Sequence, residues 1–224
     1  MAAFTLGPEP IARGEVVWPR VGRPHATLLL GVPHEEVRVH EGEQHPLALR
    51  GEDRTLTLVG TVMRLEHTPD GWPLVRWVGG KGKLNTSLRP RHYRNVPARV
   101  VLGDAIRDGG EEPGQLDAPQ LLPVWVRLGE PLRVALQRLC TALGLGWRVT
   151  PDGKVDVGPS EWRQGGVALA AQSRIPGMWM LPLDLEVEPG QEVALRLGGK
   201  EERVRVERVV HRIGRELVTE VWRA

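Results

Sequence analysis

The chain has 224 residues and a net charge of +2, from 30 Lys and Arg against 28 Asp and Glu. This near balance argues against a dedicated polybasic nucleic-acid binder, and a single Cys excludes a disulfide framework and any Cys-rich metal site. Frequent Gly (27) and Pro (19) indicate short elements separated by many turns. The aromatic residues are eight Trp with only one Tyr and one Phe.

The N-terminal part of the chain has the alternation of β-structure. Residues 37–40 alternate, and residues 56–65 form a longer run that is rich in β-branched side chains. The sequence Thr-Pro-Asp-Gly at 68–71 joins that run to residues 72–78, which predicts a β-hairpin. The Gly- and Lys-rich residues 79–83 then predict an exposed, mobile loop.

The middle of the chain changes to a helical period. Apolar residues recur every three or four positions between a Pro start and a Gly stop, which predicts helices within 97–109 and 131–144. Cys140 lies on the apolar face of the second helix, where a thiol is expected to be buried and unreactive. Residues 147–149 and 154–157 flank a Pro-Asp-Gly turn and predict another hairpin.

From about residue 180 the alternation is the cleanest in the chain. Residues 183–188 place Leu, Leu and Val on one side and Asp, Glu and Glu on the other. Further predicted strands lie at 193–197, 204–206, 209–213 and 217–222, and Gly-containing turns separate several of them. One buried and one wet face per strand is typical of a small antiparallel barrel.

Together these elements predict a mainly β protein with a small α/β insert and two β-barrel-like domains. Residues 1–94 are expected to form an N-terminal β-barrel-like domain with a basic loop. Residues 95–165 are expected to form a helical and hairpin insert, and residues 166–224 to supply the strands that complete the second barrel.

The sequence contains no motif that predicts an enzyme. The histidines near residues 34–45 lack the HExxH spacing of zinc hydrolases, and no serine lies in a GxSxG elbow. The loop 79–83 lacks the GxxxxGK[ST] spacing of a phosphate cradle. We therefore expect no catalytic residue, cofactor or metal ion.

Two groups of residues are candidates for contacts with partners. The basic stretch around Tyr93 is a candidate partner-contact loop, comprising Lys81, Lys83, Arg89, Arg91 and Arg94. One aromatic residue among these charges is fewer than a single-stranded nucleic-acid site needs, so a solvated loop or a contact with another subunit is favoured. Large apolar residues near Gly and Pro are candidates for a subunit interface, namely Trp162, Met178, Trp179 and Met180.

Two stretches of the sequence resemble bacteriophage tail-hub proteins, the late control D-like hubs of contractile and long-tailed phages and related injection systems. Residues 132–155 are similar to the "LxxALxxLCxxLGLxWxVxxDGxV"-like unit that these hubs insert between barrels, and residues 95–111 precede it. Residues 185–190, 206–211 and 217–221 are similar to the barrel that closes many hubs.

The resemblance implies a homotrimer whose two barrels per subunit form a pseudo-hexameric ring. Such a ring joins the six-fold tail tube or distal tail protein to the three-fold spike or tip, and DNA or effector passes through it. The expected location is the tail tip or baseplate of a virion, after synthesis in the host cytoplasm. No membrane span is predicted, since no apolar stretch approaches about 20 residues. No signal peptide is predicted, since the first residues lack a basic region followed by an apolar stretch.

Two other functions stay open at this point. One is a small tail-associated cell-wall hydrolase, which the missing acid, base and metal motifs disfavour. The other is a nucleic-acid-binding module that uses residues 81–99, which the near-zero net charge disfavours.

Overall fold

A computed structural model of the chain describes residues 3–51, 53–166 and 169–224. The chain forms two compact units: unit 1 is drawn from Met1–Arg20, Pro24–Val78 and Glu161–Ala224, and unit 2 from Val21–Arg23 and Gly79–Ser160. The first strands are β1 Ala3–Leu6, β2 Glu9–Pro19, β3 His25–Leu30, β4 Gln44–Arg50, β5 Thr55–His67 and β6 Pro73–Gly79. The middle elements are β7 Arg91–Pro97, α1 Ala98–Asp108, β8 Pro113–Leu116, β9 Leu121–Arg127, α2 Leu132–Leu143, β10 Leu145–Val149 and β11 Val155–Pro159. The last strands are β12 Arg163–Gln164, β13 Leu169–Ala170, β14 Ser173–Ile175, β15 Met178–Pro182, β16 Gln191–Leu197, β17 Lys200–Ile213 and β18 Val218–Arg223.

The first barrel of unit 1 is a closed ring of strands in the order β1-β4-β5-β6-β3-β2, because β2 pairs back with β1. Its interior is apolar, with Leu28, Leu58 and Trp77 fully buried. Trp77 Nε1 donates a hydrogen bond to the His45 carbonyl at 3.1 Å, which satisfies the indole inside the barrel. The Trp77 ring covers Gly60, where an added Cβ would lie 2.3 Å from a ring atom, so no side chain fits there.

The sheet continues from β2 through β17 into a second group of strands, β17-β18-β15-β14, and β16 also pairs with β17. Residues 169–175 pair first with β16 and then with β15. Between those pairings the N–H groups of Ala171 and Gln172 donate to the carbonyls of Arg196 and Met180, each at 2.8 Å. This segment therefore links β16 to β15 and closes a second ring. The ring encloses its own core of Trp179, Leu181, Val187, Val193, Leu195, Val204, Val206, Val209 and Val221.

Unit 2 contains α1 and α2, the two α-helices of the described residues, together with the sheet β10-β11-β8 and the two-stranded ribbon β7-β9. A 3-10 turn at His34–Glu36 lies in unit 1. The predicted helices are confirmed: α1 follows Pro97 and ends at Gly109, and α2 follows Pro131 and ends at Gly144, whose φ of 67° is left-handed. Cys140 is buried in α2 as expected, and burial raises the pKa of its thiol to about 12, so the thiol stays protonated.

The predicted fold class is confirmed, since the chain is mainly β with a helical insert. Both predicted hairpins form, with β5 beside β6 and with β10 antiparallel to β11. Leu84, Leu88 and Tyr93 are buried in the core of unit 2, although the sequence analysis assigned them to residues 1–94. The division into residues 1–94, 95–165 and 166–224 stays a prediction.

Residues 183–188 form no strand, contrary to the prediction from their alternation. Leu185 and Val187 are buried, so the pattern does indicate which side chains face the core. The N–H groups of Glu186 and Val187 donate to Asp184 Oδ1, at 2.8 and 3.3 Å, instead of to a neighbouring strand. A short carboxylate that captures nearby N–H groups competes with sheet pairing, which explains the difference.

The strand predicted at residues 37–40 is also absent from the structure, and this segment is a connection before β4. Arg38 donates its backbone N–H to Oε1 of the buried Glu9 at 2.8 Å, and its Nε donates to the same oxygen at 3.2 Å. Its main-chain donor is therefore satisfied by a side chain of β2 rather than by a sheet partner.

Candidate assembly surfaces

The loop at residues 79–83 is anchored to the protein by Glu111. The buried Glu111 carboxylate accepts the N–H of Lys81 at 2.8 Å through Oε2 and the N–H of Lys83 at 2.6 Å through Oε1. Gly79 and Gly80 are buried as well, so the expectation of a wholly exposed loop is wrong there. Successive N–H groups that converge on one anion form a nest, and here the chain supplies that anion itself.

Replacing Glu111 with Gln is expected to destabilise unit 2 by about 1–3 kcal/mol, because the new amide nitrogen would face one of the two N–H donors. Urea unfolding measures this loss. The matched control is Glu112→Gln, since the half-exposed Glu112 carboxylate pairs with the flexible Lys81 and Lys154 ammonium groups, at 3.7 and 4.0 Å. Equal stability of the two variants would contradict the nest.

The remaining basic candidates lie at the start of the β7-β9 ribbon and are all exposed. Arg91 pairs with Asp104 and Asp108 of α1, at 3.1 and 3.6 Å. Arg89 precedes β7, and Arg94 lies opposite Val124 of β9. All five basic candidates have exposed side chains, and within the described part of the chain two of them have an acidic partner: Lys81 pairs with Glu112, and Arg91 pairs with Asp104 and Asp108.

An apolar surface that the sequence analysis missed lies on the outer face of β9. We call it the β9 face, and it consists of Val124 and Val126 of β9 and of Leu128, which directly follows the strand; they are 57%, 44% and 50% exposed. These residues alternate along the chain, while Arg127 points inward. Within the described residues β9 pairs with no strand other than β7, and Arg138 Nη2 donates to its Val126 carbonyl at 3.0 Å. The side chains of the β9 face stay exposed. An exposed apolar edge strand is a ready site for a protein partner.

The signal for the β9 face was present in the sequence as the alternation of residues 122–128. Between the helices predicted within 97–109 and 131–144, the sequence analysis predicted no strand. Alternation indicates two faces but does not determine which face is covered, and that depends on α1 and α2.

The four residues predicted to lie at a subunit interface differ in how far they are buried. Met178 and Trp179 are buried within β15, and Trp179 belongs to the core of the second ring. Met180 and Trp162 are partly exposed, and the Trp162 ring is covered by the guanidinium of Arg20, 4.4 Å from its centroid. A subunit contact at these residues stays a prediction. Of the four, Met180 and Trp162 have side chains that are accessible to a neighbouring subunit.

Charge is divided unequally between the two units. Unit 2 carries 13 Lys and Arg against 8 Asp and Glu, a net charge of +5, whereas unit 1 carries 17 against 20, a net charge of −3. The near-zero total therefore conceals a basic unit and an acidic one, which the composition of the whole chain cannot show.

Among residues 3–51, 53–166 and 169–224, no group of three or more His, Cys, Asp and Glu side chains is arranged to hold a metal ion. Neither α1 nor α2, the helices found in this part of the chain, is long and apolar enough to cross a membrane.

No protein-family model matches this sequence, and no curated protein matches it. Solved structures do match the fold. A tail protein of prophage MuSo2 from Shewanella oneidensis has a TM-score of 0.74 at 7% identity, over 100% of this chain and 98% of that one. A tail protein from Neisseria meningitidis has a TM-score of 0.70 at 10% identity, over 98% of this chain and 94% of that one.

A third structure is a type VI secretion system component of E. coli, described as similar to the T4 bacteriophage tail proteins gp27 and gp5. Its TM-score is 0.66 at 14% identity, over 99% of this chain and 77% of that one. The resemblance to phage tail proteins and their relatives in injection systems is thereby confirmed in the fold, and this chain has the fold of a phage tail protein.

Proposed function

We propose that this protein is a structural tail hub, in which three copies form a ring between a six-fold tail tube and a three-fold spike or tip. The single observation that carries the proposal is the fold match to tail proteins over nearly the whole chain. Two barrel-like rings in one subunit support it further, because three subunits then present six similar modules to a six-fold tube. DNA or effector would pass through the ring.

We further infer a role without catalysis. The similar proteins are described as components of tails and of a secretion system, and unit 2 exposes the apolar β9 face. Apolar exposed strands serve assembly better than turnover, since they gain free energy by being covered. A cell-wall hydrolase would instead release fragments from purified cell walls, and such release by this protein would contradict the inference.

Cryo-electron microscopy of intact particles tests the location and the symmetry together. The expected result is density for this chain at the distal end of the tube, in three copies, within a virion or an injection device. Six copies, or the absence of the chain from purified particles, would overturn the hub.

A double variant tests the β9 face as the contact between copies. Replacing Val124 and Val126 with Asp would place two carboxylates in an apolar contact, which should raise the dissociation constant of the oligomer at least about tenfold. Analytical ultracentrifugation is expected to show three times the 24.8 kDa chain mass for the native protein and a shift toward the monomer for the variant.

The matched control is Met63→Asp, which adds the same charge at an exposed apolar position of the first barrel. It is expected to keep the native oligomer. If the Met63→Asp protein dissociates and the β9 double variant does not, the contact between copies is formed by the first barrel and not by the β9 face.

A further inference from the structure

A groove runs along the outer side of α2 within unit 2. We call it the α2 groove; its volume is about 520 Å³, and it is lined by Arg23, Leu84, Arg133, Val134, Gln137, Arg138, Thr141 and Trp147. The lining combines an apolar wall with three guanidinium groups.

Arg23 is the unusual member of this groove. Its Nη1 is shielded from solvent and has no hydrogen-bond partner among the described residues. Burial lowers the pKa of the Arg23 guanidinium, while the negative charge of Glu111 raises it and the positive charge of Arg133 lowers it. Because the Glu111 carboxylate already accepts two loop N–H groups, it gives Arg23 only long-range compensation. A shielded donor without an acceptor is costly and leaves the guanidinium poorly solvated. A bound oxyanion in the groove would compensate the charge of this guanidinium.

The other two arginines differ in how far their charge is compensated. Arg138 donates to Glu130 Oε1 through Nη2 at 2.6 Å and stacks over the Trp125 ring at 4.7 Å. Arg133 donates its Nε to the neutral Asn85 Oδ1 at 2.9 Å. The groove therefore contains two cations, Arg23 and Arg133, without an ion-pair partner within 4.0 Å among the described residues.

Trp147 fixes the apolar wall beside these cations. Its indole Nε1 donates to Gln137 Oε1 at 3.2 Å, and the side chain is 7% exposed. Gln137 Nε2 donates in turn to Thr141 Oγ1 at 3.0 Å, so the polar groups of this wall are already paired. A ligand that enters here meets carbon atoms on one side and guanidinium groups on the other.

We propose that the α2 groove binds a carboxylate carried by an acidic segment of a partner protein. The carboxylate would lie against Arg23 and Arg133, and its apolar stem and neighbours against Trp147 and Val134. This site goes beyond the hub role, and its binding can be measured without any assembly.

A protein carboxylate fits the groove better than a nucleic acid does. Affinity for a nucleic-acid backbone comes from a row of exposed cations that neutralise several phosphates, with aromatic faces for stacking. The α2 groove offers two uncompensated cations at one point, and Trp147 is buried rather than presented as a stacking platform. One anionic group on an apolar stem matches both features.

Isothermal titration calorimetry and NMR of the full chain test this proposal with an acetylated, amidated pentapeptide, Ala-Leu-Glu-Leu-Ala. The matched peptide has Gln in place of Glu and removes only the charge. We expect the Glu peptide to bind at least tenfold more tightly, with amide shifts confined to α2, β10 and residues 84–86. Arg23→Gln and Arg133→Gln should each weaken binding at least tenfold, and Arg99→Gln, an exposed arginine of α1, should leave it unchanged.

Arg133 is exposed, so its variant keeps the test valid even if the Arg23 variant fails to fold. Equal affinity for the two peptides would overturn the proposal, as would unchanged binding by the Arg133 variant. Binding of inorganic phosphate or of a single-stranded oligonucleotide in preference to the Glu peptide would also overturn it. None of these outcomes depends on whether the protein forms a trimer.

Discussion

Asp108→Ala is expected to lower the free energy of unfolding by about 3 kcal/mol, because it leaves the buried Arg127 guanidinium without its carboxylate. The Arg127 side chain is 2% exposed and donates from Nη2 to Asp108 Oδ2 at 2.5 Å and from Nε to the Arg89 carbonyl at 3.1 Å. A neutral carbonyl cannot compensate a buried positive charge. Urea unfolding followed by Trp fluorescence measures the loss.

The two partners of this pair are expected to respond unequally to replacement. Arg127→Met should cost less than Asp108→Ala, since Asp108 keeps a second cation, Arg91, at 3.6 Å. The double variant should recover most of the stability that Asp108→Ala loses, because a buried ion pair can be replaced by apolar side chains at little cost.

The matched control for this pair is Asp104→Ala, which removes a carboxylate that pairs with the exposed Arg91 at the surface. Surface pairs contribute little, so its stability should stay close to that of the native protein. A loss as large as that of Asp108→Ala would show that α1 depends on its acidic residues in general and not on the buried guanidinium.

Acidification from pH 6.5 to pH 4 is expected to remove about 3 kcal/mol of stability through His211 alone. Burial lowers the pKa of His211 from 6.5 to about 4, so the folded protein holds the neutral imidazole while the unfolded chain takes up a proton. The contribution is complete above pH 6.5 and is lost as the pH falls toward 4. Stability measured by urea unfolding at several pH values should follow this course.

The hydrogen bonds around His211 fix its tautomer. Thr219 Oγ1 donates to the Asp184 carbonyl at 3.0 Å, and His211 Nδ1 lies 3.1 Å from the same hydroxyl. Since the hydroxyl proton is used, Nδ1 carries the imidazole proton and donates it, and Nε2 has no partner within the described residues. At position 211, an Asn side chain can donate a similar hydrogen bond to Thr219 Oγ1 through its amide nitrogen, and it does not titrate between pH 4 and pH 7.5.

His211→Asn therefore isolates the effect of the imidazole. The variant should be less stable than the native protein at pH 7.5. The difference between their free energies of unfolding should become smaller as the pH falls. His25→Asn, which replaces an exposed histidine of the first barrel, is the matched control. A gap for His211→Asn that stays constant between pH 7.5 and pH 4 would contradict a neutral His211 in the folded state.

The sequence by itself determined the local elements of this protein. Helices α1 and α2 follow from apolar residues at helical spacing between Pro starts and Gly stops, and the hairpins follow from turns with Pro or Gly at the required positions. These signals act within a few residues, so they are visible without an alignment. The resemblance of residues 95–224 to tail hubs depended on the same short patterns.

The tertiary structure alone decided which of those residues are available to a partner. Residues 183–188 alternate like a strand but lie in a connection, because Asp184 captures their N–H groups. The loop at 79–83 has the composition of a mobile segment but is held by Glu111, which is distant in sequence. The open β9 face and the unpaired Arg23 depend in the same way on contacts that the fold alone brings together, and a linear pattern cannot contain them.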